Sequence, residues 1–223
     1  MCKLDAKSVI FDMDGVLINS MEFHCIAWRK AAKLRGIDIP DREIYLREGE
    51  KGKFSGKYFL ELNGKDSSDH EAEKFLADKE KIFAEIANPV VYPFVSELLN
   101  YLYANSFSLA LVTGTSMGEL KKTLPREISD YFKIKVTGDM VSRGKPDPEP
   151  YRKALKLLEI TEDEAVVIEN APYGIRSAKL AGIYCIALCT SLEKQYLLEA
   201  DLILDSVTEL YNRVKSGINC LIK

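Results

Sequence analysis

A short apolar run, Ser8-Val9-Ile10-Phe11, stops abruptly at Asp12-Met13-Asp14-Gly15, the pattern of a buried strand whose end carries two acids and a turn glycine. The same cadence of apolar run, turn chemistry and helical pattern returns at Leu109-Ala110-Leu111-Val112 before Thr113-Gly114, and at Ala165-Val166-Val167-Ile168 before Glu169-Asn170. Weaker runs stand at Ile134-Lys135-Val136, Tyr184-Cys185-Ile186-Ala187-Leu188 and Leu202-Ile203-Leu204. Strands that alternate with helices predict an α/β protein with a mainly parallel, doubly wound sheet. In such sheets catalytic groups favour the strand ends where Asp12 and Asp14 stand.

Between Ile18 and Ala87 the pattern changes to charged helical stretches, Glu22 to Arg35 and Asp69 to Ile86, with no convincing strand. Gly15-Val16-Leu17 marks one edge of this helical insertion; Asn88-Pro89 and Tyr92-Pro93 mark the other, since prolines end a helix and stiffen the returning chain. A core of residues 1–17 and 88–223 with an inserted helical cap of residues 18–87 is therefore expected, which suits a length of 223 residues. Asn63 to Asp69 reads as a helix-helix loop, and no internal repeat is present.

Thirty-one basic against 34 acidic residues leave a net charge of −3, which provides no broad footprint for nucleic acid or an anionic membrane. Any anionic substrate must be held locally. The five cysteines, Cys2, Cys25, Cys185, Cys189 and Cys220, show no zinc or disulfide spacing, so reduced thiols in a cytoplasmic protein are expected. Met1 to Asp5 lacks the apolar stretch of a signal peptide, and no run reaches the roughly 18 apolar residues of a membrane span. Cys220-Leu221-Ile222-Lys223 has the outline of a prenylation box, but Lys is not among its usual last residues. A monomer is the expected state.

Asp12 and Asp14, two apart on an extended chain, place both carboxylates on one side. Alone, that spacing equally describes a solvated turn. With their neighbours, however, Asp12-Met13-Asp14-Gly15-Val16-Leu17, Thr113 after an apolar run, Gly144-Lys145-Pro146-Asp147-Pro148 and Ile168-Glu169-Asn170-Ala171-Pro172-Tyr173-Gly174-Ile175 resemble, in order, the four motifs of the haloacid dehalogenase superfamily. The insertion after the first motif resembles the small cap of its beta-phosphoglucomutase-like and phosphoglycolate-phosphatase-like branch. The resemblance spans essentially the whole chain and implies a Rossmann-like core.

It also implies roles. Asp12 is the nucleophile that becomes an aspartyl phosphate; Asp14 is the general acid and base. Thr113 and the Gly114 N–H bind the transferring phosphoryl oxygens, and Lys145 neutralises Asp12 and phosphoryl together. Mg²⁺ is the implied cofactor, held by Asp12, the backbone carbonyl of Asp14 and Asn170. Many relatives carry Asp where this chain has Asn170, and Glu169 or a cap acid is expected to supply the missing charge.

Substrate choice falls to the cap, where His24, Glu48 and Lys79 are the candidates for substrate contact. Each has a plain alternative as a solvated or packed side chain. The Gly-containing loop Gly49-Glu50-Lys51-Gly52-Lys53 offers lysines and acids where mutases of the branch use an arginine for the non-reacting phosphate, and Glu48, just before it, resembles a feature of pyrophosphate-hydrolysing members. Trp28, Phe23 and Phe83 read as cap core rather than a base-stacking platform, and Asp147 as a helix-start residue. The leading expectation is a Mg²⁺-dependent phosphohydrolase acting on a small phosphorylated metabolite or pyrophosphate. The alternatives are a beta-phosphoglucomutase-type mutase and, from another class, a phosphoryl-accepting receiver-like signalling module.

Overall fold

The computed structural model describes residues 6–216; Cys2 and the Cys220 segment lie outside them. Six strands, β1 (Ser8–Phe11), β4 (Ser108–Val112), β5 (Ile134–Val136), β6 (Ala165–Glu169), β7 (Tyr184–Leu188) and β8 (Leu202–Leu204), form one sheet in the order β5-β4-β1-β6-β7-β8. Every pairing is parallel. The chain winds outward from β1 in both directions, and such a switch of direction opens a crevice beyond the strand ends. That crevice lies where Asp12 follows Phe11.

The strands read as unbroken apolar runs because both sheet faces are covered. Val9 and Phe11, with Leu109, Leu111, Val166 and Ile168, pack on one side with α5 (Val95–Ala104) and α10 (Val207–Lys215). Ile10, Val112 and Val167 pack on the other with α8 (Glu149–Leu158) and α9 (Pro172–Leu180). Two short helices, α6 (Met117–Thr123) and α7 (Arg126–Ser129), bridge β4 to β5.

The insertion comprises α1 (Met21–Lys33), α2 (Asp41–Leu46), α3 (Gly52–Leu62) and α4 (Asp69–Ile86). Its own core sets Trp28 edge-to-face against Phe59 at 5.3 Å and Phe75 at 5.0 Å, the orientation favoured by ring quadrupoles. No strand is expected between Ile18 and Ala87, yet β2 (Ile18–Asn19) pairs antiparallel with β3 (Val90–Val91). A two-residue strand has no alternation to detect, because the returning chain creates it. This ribbon, extended by Tyr92 N–H to Leu17 O at 3.0 Å, joins cap to core. Among the described residues, no helix is long and apolar enough to cross a membrane.

Candidate active site

Asp12 stays tied to the sheet through its N–H to Ile168 O at 3.0 Å while its buried side chain enters the crevice. Lys145, from the loop before α8, gathers the ends of three strands. Its Nζ lies 2.5 Å from Asp12 Oδ1, 2.6 Å from Glu169 Oε1 and 3.2 Å from Val112 O. An ammonium has three N–H donors, and all three are satisfied, which a buried cation requires. Burial alone would lower the Lys145 pKa, but the Asp12 and Glu169 carboxylates outweigh it and hold it above the lysine range. Burial pushes Asp12 upward; Lys145 pulls against it, while Glu169 and Asp14 add repulsion.

Glu169, the expected source of additional negative charge for a metal, faces Lys145. Besides Lys145, Oε1 accepts from Tyr151 OH at 2.7 Å, and Oε2 accepts from the N–H groups of Asn170 at 3.0 Å and Ala171 at 3.4 Å. Both oxygens are engaged, so Glu169 stands as a second counterion to Lys145.

Asp14 is held by Ser20 Oγ at 2.5 Å, Thr115 Oγ1 at 3.4 Å and His24 Nε2 at 3.3 Å. Burial would raise its pKa, but His24 and the Ser20 hydrogen bond prevail and lower it. His24, from the cap, stacks on buried Phe83 with centroids 4.1 Å apart, so Phe83 backs a residue that lines the site. The Lys79 ammonium lies 4.8 Å from the Phe83 centroid and is 6% exposed; burial lowers its pKa. It is not a solvated surface charge. Thr113 is buried and receives the Thr115 N–H on Oγ1 at 3.1 Å.

Glu48 is also buried, and its Oε2 accepts from Asn170 Nδ2 at 2.9 Å. Burial, then repulsion from Asp12, drives its pKa well upward. The cap therefore lies closed on the core. Close approach is possible because residue 114 is glycine: a Cβ there would stand 2.6 Å from Gly49 O. The cavity between cap and core, about 310 Å³, is lined by Asp12, Asp14, His24, Glu48, Lys79 and Thr113, and extends along Trp28, Phe59 and Leu76 into the cap.

Among the described residues no three His, Cys, Asp or Glu side chains converge on a point that could hold a metal. A ligand set here would have to use amide or backbone oxygen. Two buried oxygens, Glu48 Oε1 and Asn170 Oδ1, have no hydrogen-bond partner, and buried polar atoms left so are uncommon. Hard, partly orphaned oxygens among an excess of carboxylates fit Mg²⁺.

Ser20, Thr115, Tyr151, Ser191 and Arg47 join the site without having been singled out from sequence. Thr115, two residues beyond Thr113, had a spacing that could have found it. Tyr151 and Ser191, whose Oγ accepts from Asn170 Nδ2 at 3.1 Å, had none.

The haloacid dehalogenase-like hydrolase family model matches residues 9–188. The chain is 32% identical to validoxylamine A 7'-phosphate phosphatase of Streptomyces hygroscopicus subsp. limoneus, over 92% of this chain and 95% of that protein. It is 33% identical to phosphorylated carbohydrates phosphatase of Thermotoga maritima, over 79% and 82%. A solved candidate beta-phosphoglucomutase of Bacteroides vulgatus superposes with a TM-score of 0.90 at 30% identity, covering 99% of this chain and 92% of that one.

Proposed function

The chain belongs to the haloacid dehalogenase-like hydrolase family, and on that premise we propose that it is a Mg²⁺-dependent phosphohydrolase of a small phosphorylated carbohydrate. The observation that carries this is the enclosed constellation in which Lys145 bridges Asp12 and Glu169 while Asp14 sits on His24, Ser20 and Thr115.

Asp12 attacks phosphorus as the ester P–O bond breaks, and Asp14 delivers a proton to the leaving oxygen. Asp14 then takes a proton from the attacking water, the bond from phosphorus to Asp12 breaks, and inorganic phosphate leaves. The lowered Asp14 pKa suits the second step, and its protonation accompanies binding of a substrate anion. Lys145 holds the nucleophile in line, while Thr113 and the Gly114 N–H hold phosphoryl oxygens. Mg²⁺, held by Asp12, the Asp14 carbonyl and Asn170, would offset the repulsion between carboxylate and phosphoryl oxygens.

Hydrolysis is favoured over mutase chemistry by the fate of Arg47. A mutase must clamp a second phosphate, and the guanidinium beside the cavity is already taken by Glu50 in a two-point pair at 2.9 and 3.0 Å. The named activities of the phosphatase relatives agree. Pyrophosphate remains a second substrate reading, supported by Glu48, which reaches Asn170 from the cap. Phosphate release from a panel of sugar, polyol and aryl phosphates plus pyrophosphate, with Mg²⁺, tests all three. Release without any bisphosphate requirement is expected; conversion of glucose 1-phosphate to its isomer without release overturns the hydrolase assignment.

A further inference from the structure

Arg47 follows the last residue of α2 and is nearly buried, with 13% of its side chain exposed, beside Glu50 at 9%. Every contact of its guanidinium but one class lies inside the cap. Nε and Nη2 donate to the two oxygens of Glu50, the plane lies 3.9 Å from the Tyr58 ring centroid, and Ser55 Oγ fixes Glu50 at 2.7 Å. The exception is Tyr173, the second residue of α9 in the core. Nη1 donates to Tyr173 OH at 3.1 Å, and the guanidinium carbon lies 5.3 Å from that ring.

The neighbouring cap residue, Glu48, meets Asn170, three residues before Tyr173. Two consecutive cap residues thus grip two core residues at the start of α9. When the cap swings away, Arg47 gives up one hydrogen bond and one ring face, yet keeps Glu50 and Tyr58. A guanidinium that stays paired in both positions can make and break the contact repeatedly, because opening strands no buried charge.

We propose that Arg47 and Tyr173 form a clasp between cap and core that seats Glu48 on Asn170 over the reacting groups. Both are positioning residues, since neither touches Asp12 or Asp14. Its catalytic consequence rests on the phosphohydrolase assignment; its structural content does not.

Hydrogen exchange across residues 47–53 of the whole protein reads the clasp directly. Tyr173→Leu should speed exchange there by about tenfold, the size expected from losing one charge-assisted hydrogen bond and a ring contact. Tyr173→Phe, which keeps the ring, should fall between. Arg176→Ala on the same helix, which removes an exposed pair with Glu199 and leaves the Tyr173 ring and hydroxyl in place, should match wild type. In turnover, Tyr173→Leu should lower kcat/KM about tenfold for a carbohydrate phosphate that needs closure and change that of a bulky aryl phosphate little. Unchanged exchange in Tyr173→Leu, or an equal increase in Arg176→Ala, overturns the clasp. Equal catalytic losses on both substrates overturn its positioning role. If wild type hydrolyses no phosphate ester, the functional assignment falls while the exchange result still decides the clasp.

Discussion

Asn170 shows how one side chain can serve two neighbours with opposite demands. Its amide nitrogen satisfies Glu48 and Ser191, which leaves Oδ1 as an unpartnered oxygen. A carboxylate at this position would face Glu48 across 2.9 Å and would need a cation to hold both acids in place. Asn170→Asp should therefore lower the Mg²⁺ concentration giving half-maximal rate and lower the metal-free Tm. A metal titration in which the variant needs more Mg²⁺ refutes this. Lys79 illustrates a second conflict, between binding and folding. Its pKa is depressed by burial, so between that lowered value and the ordinary lysine range the unfolded chain binds more protons, and Lys79 makes stability rise with pH across that window. Near neutral pH the buried charge is a cost. Lys79→Met should stabilise the fold by about 1 kcal/mol while raising KM about tenfold for an anionic substrate. Calorimetry showing a destabilised variant, or kinetics showing an unchanged KM, contradicts it.

At the scale of elements, the packing of α9 on β6 sets the Glu169–Lys145–Asp12 chain. A Cβ on Gly174 would stand 1.8 Å from Glu169 Oε1, so Gly174→Ala should cost about 2–3 kcal/mol in denaturant unfolding and displace Lys145, with most activity lost. Near-wild-type stability and turnover would show that Glu169 is dispensable there. These core elements were legible in the sequence. Buried parallel strands are short apolar runs punctuated by turns, and the runs at Ile134, Tyr184 and Leu202 begin and end where their strands do. Asp69 to Ile86 likewise emerges as α4 without a shift. What escaped were features created by distant chain segments: the β2–β3 ribbon, the Tyr151 hydroxyl on Glu169, and Arg47 against Tyr173, 126 residues away. The contacts of Glu169 escaped for a related reason: its place beside Asn170 suggested a shared ligand, and nothing local in the sequence shows that Lys145 and Tyr151 meet its carboxylate.

For the molecule as a whole, the proposed function places turnover in the state with the cap shut over the crevice. Contacts made only when the cap is shut stabilise only reactions that pass through that state. Glu48→Ala should thus reduce hydrolysis of a small substrate such as pyrophosphate or a polyol phosphate by at least about tenfold and spare a bulky aryl phosphate; equal effects would place Glu48 outside closure. The covalent role of Asp12 is tested most directly in Asp14→Asn, mixed with Mg²⁺ and an aryl phosphate whose leaving group needs little protonation. Attack by Asp12 should proceed, but water would lack its base, so the phosphoenzyme should accumulate. Rapid-quench kinetics should show one phenolate released per protein chain, and borohydride trapping should yield homoserine at position 12. No burst together with undiminished steady turnover, or a label on any other residue, would contradict catalysis through an aspartyl phosphate at Asp12.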